Sequence, residues 1–99
     1  MKKQANLDGF TKKDLGVKSL DKCTKVESSK EGVFETTLDN IQGDTFFTFI
    51  FTDEPKTDSV VWQKVEYDRA EKKYYVGNYS GTREKLVRGT KKVFINFTF

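Results

Sequence analysis

All three arginines of this chain, Arg69, Arg83 and Arg88, fall in its last third, interleaved with Tyr74, Tyr75 and Tyr79. Residues 69–99 hold eight Lys and Arg against two carboxylates, Glu71 and Glu84, whereas residues 1–68 hold ten against thirteen. Cationic side chains attract carboxylates and phosphates, and a neighbouring Tyr adds a flat apolar ring with a polar tip. That combination suits two kinds of chemistry. One is docking on an acidic patch of another protein, where long-range attraction speeds encounter. The other is binding of single-stranded nucleic acid, where charge follows the phosphates and rings stack on bases. The partner-binding residues expected on this reading are Lys64, Arg69, Lys72, Lys73, Tyr75, Tyr79, Arg83 and Arg88. Trp62 joins them as an aromatic anchor, because Trp, Tyr and Arg are enriched among binding hot spots.

Catalysis finds less material. The chain has no His, so it lacks a Ser-His or Cys-His nucleophile pair and the usual zinc and copper ligand sets. Cys23 is the only cysteine; it excludes an internal disulfide and reads as a buried, idle thiol. Asp53-Glu54 with Asp58 reads as an acidic turn rather than a series of cation ligands, so neither metal nor cofactor is expected. Glu35 with Asp39, or Glu66 with Asp68, have a spacing that brings carboxylates near each other, but that spacing is commonplace and alone carries no mechanism. Asn78-Tyr79-Ser80 and Asn96-Phe97-Thr98 match the glycosylation acceptor pattern, a triplet that often arises by chance. The chain is expected not to be an enzyme.

No stretch reaches the ~18 apolar residues of a membrane span. The basic start, Met1-Lys2-Lys3, is followed by polar residues where a signal peptide has its apolar core. A cytoplasmic protein without a membrane partner is therefore expected. The leading expectation is a small non-enzymatic binding protein that occludes or bridges a macromolecular protein partner, with an acidic patch on that partner. A short chain rich in Lys and Phe also fits a phage-encoded or bacterial inhibitor or accessory factor. The alternatives are a single-stranded nucleic-acid-binding β-barrel module and a self-associating structural or assembly subunit.

The elements that must position these residues read as β-strands. Of the 99 residues, 35% are hydrophobic and 33% charged, so a core must come from few, large side chains: nine Phe, four Tyr and one Trp. Asp44–Thr52 and Val93–Phe99 are the densest aromatic and β-branched runs and read as strands with covered faces. In the first run Phe47, Phe49 and Phe51 are expected on the more buried face. Residues 60–67 and 73–79 flank the turn Asp68–Lys72 and give the clearest hairpin, with Gly77 as a candidate bulge. Residues 22–27 and 33–38 flank a loop ending in Gly32 and give another. Thr82–Arg88 reads in two ways: as a one- to two-turn helix capped by Thr82 and stopped by Gly89, or, the favoured reading, as a strand over residues 83–88 that a tight turn at Gly89-Thr90 pairs with 91–99. Residues 1–20 are weakly structured or short-helical, with Thr11-Lys-Lys-Asp14 resembling a capping box and Gly16 weakening any helix. The expected architecture is one all-β, mainly antiparallel domain over residues 1–99. Five to seven strands would form a small meander barrel or a strongly curved sheet, with at most one or two short helices.

Overall fold

The computed structural model describes residues 9–98. The chain enters through helix α1, Lys12–Leu15, which the capping box starts: Thr11 Oγ1 accepts from the Asp14 amide at 3.1 Å, and Asp14 Oδ2 accepts from the Thr11 amide at 3.0 Å. Gly16 ends the helix rather than weakening it. It adopts φ +70°, and a Cβ there would collide with the Thr45 hydroxyl, so only Gly fits. Leu15 and Val17 then enter the core. The segment is fastened by Lys18 N–H to Asn40 C=O and Gln42 N–H to Gly16 C=O, both 2.7 Å. Buried Asn40 completes the tie, accepting from the Ser19 amide while its Nδ2 donates to Ser19 C=O and Thr36 Oγ1.

The described residues form six strands: β1 Thr24–Lys25, β2 Phe34–Thr37, β3 Trp62–Asp68, β4 Lys73–Asn78, β5 Glu84–Arg88 and β6 Lys92–Ile95. They make two three-stranded antiparallel sheets, ordered β1-β2-β6 and β3-β4-β5. The fold is thus mostly antiparallel β with one short α-helix. No pairing among the described residues joins the outer strands β1 and β5. One apolar cluster draws on everything: Leu15 and Val17 from the N-terminal segment, Phe34, Val93 and Ile95 from the first sheet, Trp62 and Val76 from the second.

Asp44–Thr52 departs from expectation. It is not a strand but a two-residue stitch between the sheets. Phe47 exchanges backbone hydrogen bonds with Trp62 of β3 (2.9 and 2.7 Å), and Thr48 exchanges them with Phe94 of β6 (3.0 and 2.9 Å). Successive residues of an extended chain direct their polar groups to opposite sides, so this pair can serve both sheets at once. Extension stops there because Thr48 Oγ1 turns back to its own Ile50 C=O at 2.8 Å. Phe47 and Thr48 are fully buried, Phe49 only partly, and Phe51 is exposed.

The turn at Gly89-Thr90 also differs. Residues 84–88 do form a strand, but β5 pairs with β4, and β6 crosses to the other sheet to pair with β2. Gly89 makes the crossing feasible. A Cβ there would sit 3.0 Å from the Asp39 Cβ and 3.1 Å from the Tyr74 ring. β6 stops at Ile95 because Asn96 adopts φ +67°, so the strand expected over Val93–Phe99 does not extend through residues 96–98; Phe99 lies outside the described residues. The bulge falls at Val65, between Lys64 and Glu66, and Gly77 pairs regularly with Gln63 and Glu84. Val65 rests over Gly77, its methyl 3.6 Å from where a Cβ would be, so the small residue accommodates the bulge on its neighbour.

Candidate functional site

The second sheet positions most of the expected binding residues, and its register decides which lie together. Cross-strand neighbours share a face. Trp62, Lys64 and Tyr67 of β3 therefore lie with Tyr74, Val76 and Asn78 of β4 and with Lys85 and Val87 of β5, toward the core. Glu66, Tyr75 and Leu86 share the outer face with Asp68, Lys73 and Arg88. The Val65 bulge is what puts Tyr67 on the inner side; strict alternation would have left it opposite Trp62 and Lys64.

The nine expected binding residues consequently divide. Arg69 and Lys72 are exposed on the β3–β4 turn, with Lys73 beginning β4 and Arg88, its cross-strand partner, ending β5. Tyr79 and Arg83 lie at the opposite end of the sheet, about 17 Å away along β4 at the usual rise per residue. There Tyr79 packs edge-on against Phe46 at 5.4 Å. Tyr75 sits in the middle of the outer face. Trp62, 5% exposed, is core, edge-on to Phe49 at 5.3 Å and capped by the Lys85 ammonium at 4.9 Å. That burial corrects its role as an accessible anchor: it has no free face for a partner.

At the Lys72–Arg88 end three backbone segments converge into a cleft of about 510 Å³. The β3–β4 turn is held by Asp68, whose C=O accepts from Lys72 N–H at 2.8 Å while its carboxylate accepts from the Ala70 and Glu71 amides. Lys72 takes φ +57° to close it. The β5–β6 turn is clamped to the 3₁₀ turn Leu38–Asn40 by Asp39 N–H to Gly89 C=O and Leu38 N–H to Lys91 C=O, both 2.9 Å. Tyr67 and Tyr74 form the cleft wall, their rings 4.9 Å apart. Lys72, Lys73 and Arg88 line it as cations, Asp39 and Glu71 as carboxylates.

Lys64 belongs to the same neighbourhood. Its Nζ stands 4.5 Å from the centre of the Tyr74 ring. Burial brings its ammonium down to about 8; Lys18 adds to the effect and Asp39 opposes it. Burial also raises the Tyr74 phenol, helped by Asp39 and then by Tyr67. The phenol thus stays a neutral donor at physiological pH, and the site offers rings, hydrogen-bond donors and mixed charge.

Several of the other candidates have structural partners. Asp53 accepts from the Ser29 hydroxyl and the Lys30 and Glu31 amides, bonds that hold its carboxyl below the ordinary range. It therefore fastens the β1–β2 loop. Among the described residues no cluster of acidic, His or Cys side chains is arranged to hold a metal. Cys23 is buried, and burial raises its thiol. Asn78, 6% exposed, spends its amide on the turn that follows, accepting from the Thr82 and Arg83 amides. Asn96 donates to Gly32 C=O. Among the described residues no helix is long and apolar enough to cross a membrane.

Sequence reasoning missed Asp39, Tyr67, Glu71, Tyr74, Gly89 and Thr90 as members of this site. Glu71, Gly89 and Thr90 lay in turns read from the sequence and Tyr74 in the basic, tyrosine-rich third, whereas no local signal pointed to Asp39 or Tyr67. No family model, curated protein or solved structure matches this chain.

Proposed function

We propose that the chain is a small non-enzymatic binding protein that occludes or bridges a protein partner, docking through the tyrosine-walled cleft at the Lys72–Arg88 end of β3-β4-β5. The observation that carries this reading is the convergence of Lys72, Lys73 and Arg88 around Tyr67 and Tyr74 in one concave site. Aromatic rings beside cations are the composition of interface hot spots. Asp39 and Glu71 in the same cleft favour a protein segment of mixed, predominantly acidic charge over a polyphosphate strand, whose charge is all of one sign. In this reading the two sheets, stitched at Phe47 and Thr48, act as one strongly curved frame that holds the cleft rigid.

The test is capture of partners from a lysate with and without nuclease, using the parent and an Arg69→Glu/Lys72→Glu/Lys73→Glu variant. These side chains lie on or beside a surface turn, so the melting temperature should be retained. Nuclease-resistant capture by the parent and its loss in the folded variant is the expected result. Capture that disappears with nuclease would move the reading to nucleic acid. Undiminished capture by the folded variant would move the interface away from this cleft.

A further inference from the structure

The β5 strand leaves an open edge with an unusual property: it is complementary to itself. Asn78 N–H donates to Arg83 C=O directly opposite it at 3.1 Å. Hydrogen-bonded pairs recur every second residue along an antiparallel ladder, so Lys85 and Val87 direct their N–H and C=O groups at β4. Glu84, Leu86 and Arg88 direct theirs outward. Among the described residues only one of these outward groups has a backbone partner, the Arg88 C=O, which accepts from Lys91 N–H at 3.1 Å.

The remaining edges are blunted in ways that protect monomers. β1 is two residues long, β3 is interrupted by the Val65 bulge, and β3 and β6 each turn one side toward the Phe47–Thr48 stitch. β5 has five residues in unbroken register, with neither proline nor bulge.

We propose that two copies of this chain pair through β5, antiparallel, about a two-fold axis at Leu86. In that register Leu86 exchanges two hydrogen bonds with Leu86 of the second copy, and each Arg88 N–H meets the opposing Glu84 C=O. Side chains match as well. Exposed Glu84 falls opposite Arg88 of the second copy, twice by symmetry, so the row Asp68–Lys73–Arg88 gains a second carboxylate beside its terminal cation. On the same outer face Tyr75 and Leu86, cross-strand neighbours within one copy, continue into Leu86 and Tyr75 of the other as an unbroken apolar row. A register shifted by two residues loses both charge pairs. The surface is distinct from the proposed cleft, sharing only Arg88 with it.

Sedimentation equilibrium from about 10 μM to about 1 mM covers the range in which small interfaces associate, and should show a reversible monomer–dimer equilibrium. Over the same range hydrogen exchange on the unaltered protein should give concentration-dependent protection at the Leu86 and Arg88 amides and none at Lys85 and Val87. Glu84→Arg replaces two attractive pairs by two repulsive ones and should weaken the dimer about tenfold. The exchange Glu84→Arg/Arg88→Glu restores the pairs and should return affinity to within about threefold of the parent. A protein that stays monomeric throughout, protection that does not alternate, or a double variant no tighter than the single one would each overturn the proposal. The exchange pattern needs no variant and decides the matter if a substitution impairs folding.

Discussion

The two sheets are built by opposite strategies. β3-β4-β5 follows chain order, each strand returning beside the one before it through a short turn. β1-β2-β6 pairs Phe34 with Ile95, residues 61 positions apart in the chain. Its strands are short, yet Phe34, Val93 and Ile95 are fully buried, while the longer strands of the other sheet expose Val65, Tyr67 and Tyr75. Local pairing closes short loops at little entropic cost, whereas the pairing of β2 with β6 becomes favourable only once much of the chain is ordered. The difference teaches where to look for each property. Full burial concentrates in the non-local sheet and at the seam, and the local sheet keeps a face and an end exposed.

The sharpest way to break that comparison is at the seam. Phe47→Ala removes a fully buried ring from the core cluster that both sheets share and should cost ~3–5 kcal/mol in urea unfolding, because a cavity adds to the lost transfer energy. Phe51→Ala, in the same run but 37% exposed, should cost under ~1 kcal/mol. Similar losses for the two would mean that the run packs as one continuous strand. For Phe49, only partly buried, the expected loss lies between them.

A smaller effect comes from Lys64, where the second sheet meets the core. Below about pH 8 Lys64 is charged in folded and unfolded chains alike, and the folded chain bears the desolvation cost. Between about 8 and 10.5 the folded chain has released the proton and the unfolded chain still binds it, so this group makes stability rise with pH in that window. Lys64→Met should therefore be more stable than the parent at pH 7, by about 1 kcal/mol for a half-buried amine. The advantage should vanish as pH approaches 10.5. A difference that does not change with pH would show that Lys64 carries no desolvation cost.

The smallest effect is expected on the outer face. Val65→Thr, at a bulge residue 58% exposed, should shift stability by no more than ~0.5 kcal/mol. A loss above ~1 kcal/mol in calorimetry would mean that this face is covered and would close the contrast between the sheets.

Local chemistry was enough to read the capping box at Thr11 and Asp14 and the β1–β2 and β3–β4 hairpins. Each rests on a few neighbouring residues whose side chains satisfy nearby backbone groups or whose alternation sets a face. The tertiary structure decided the rest. Residues 82–88 had the composition of either a short helix or a strand, and pairing with β4 decided for the strand. The Phe-rich run has the composition of a strand, but strand formation needs partners along its whole length, and the diverging sheets leave it one residue on each side. Gly89-Thr90 has the composition of a hairpin turn, but the packing of Asp39 and Tyr74 against Gly89 accompanies the crossing of β6 to β2, a strand distant in sequence. The basic, tyrosine-rich third was visible as composition. Its division into a cleft, an outer face and a far end was not, because a single bulge at Val65 exchanges the faces of β3, and a bulge is set by the partner strand rather than by the residue that bears it.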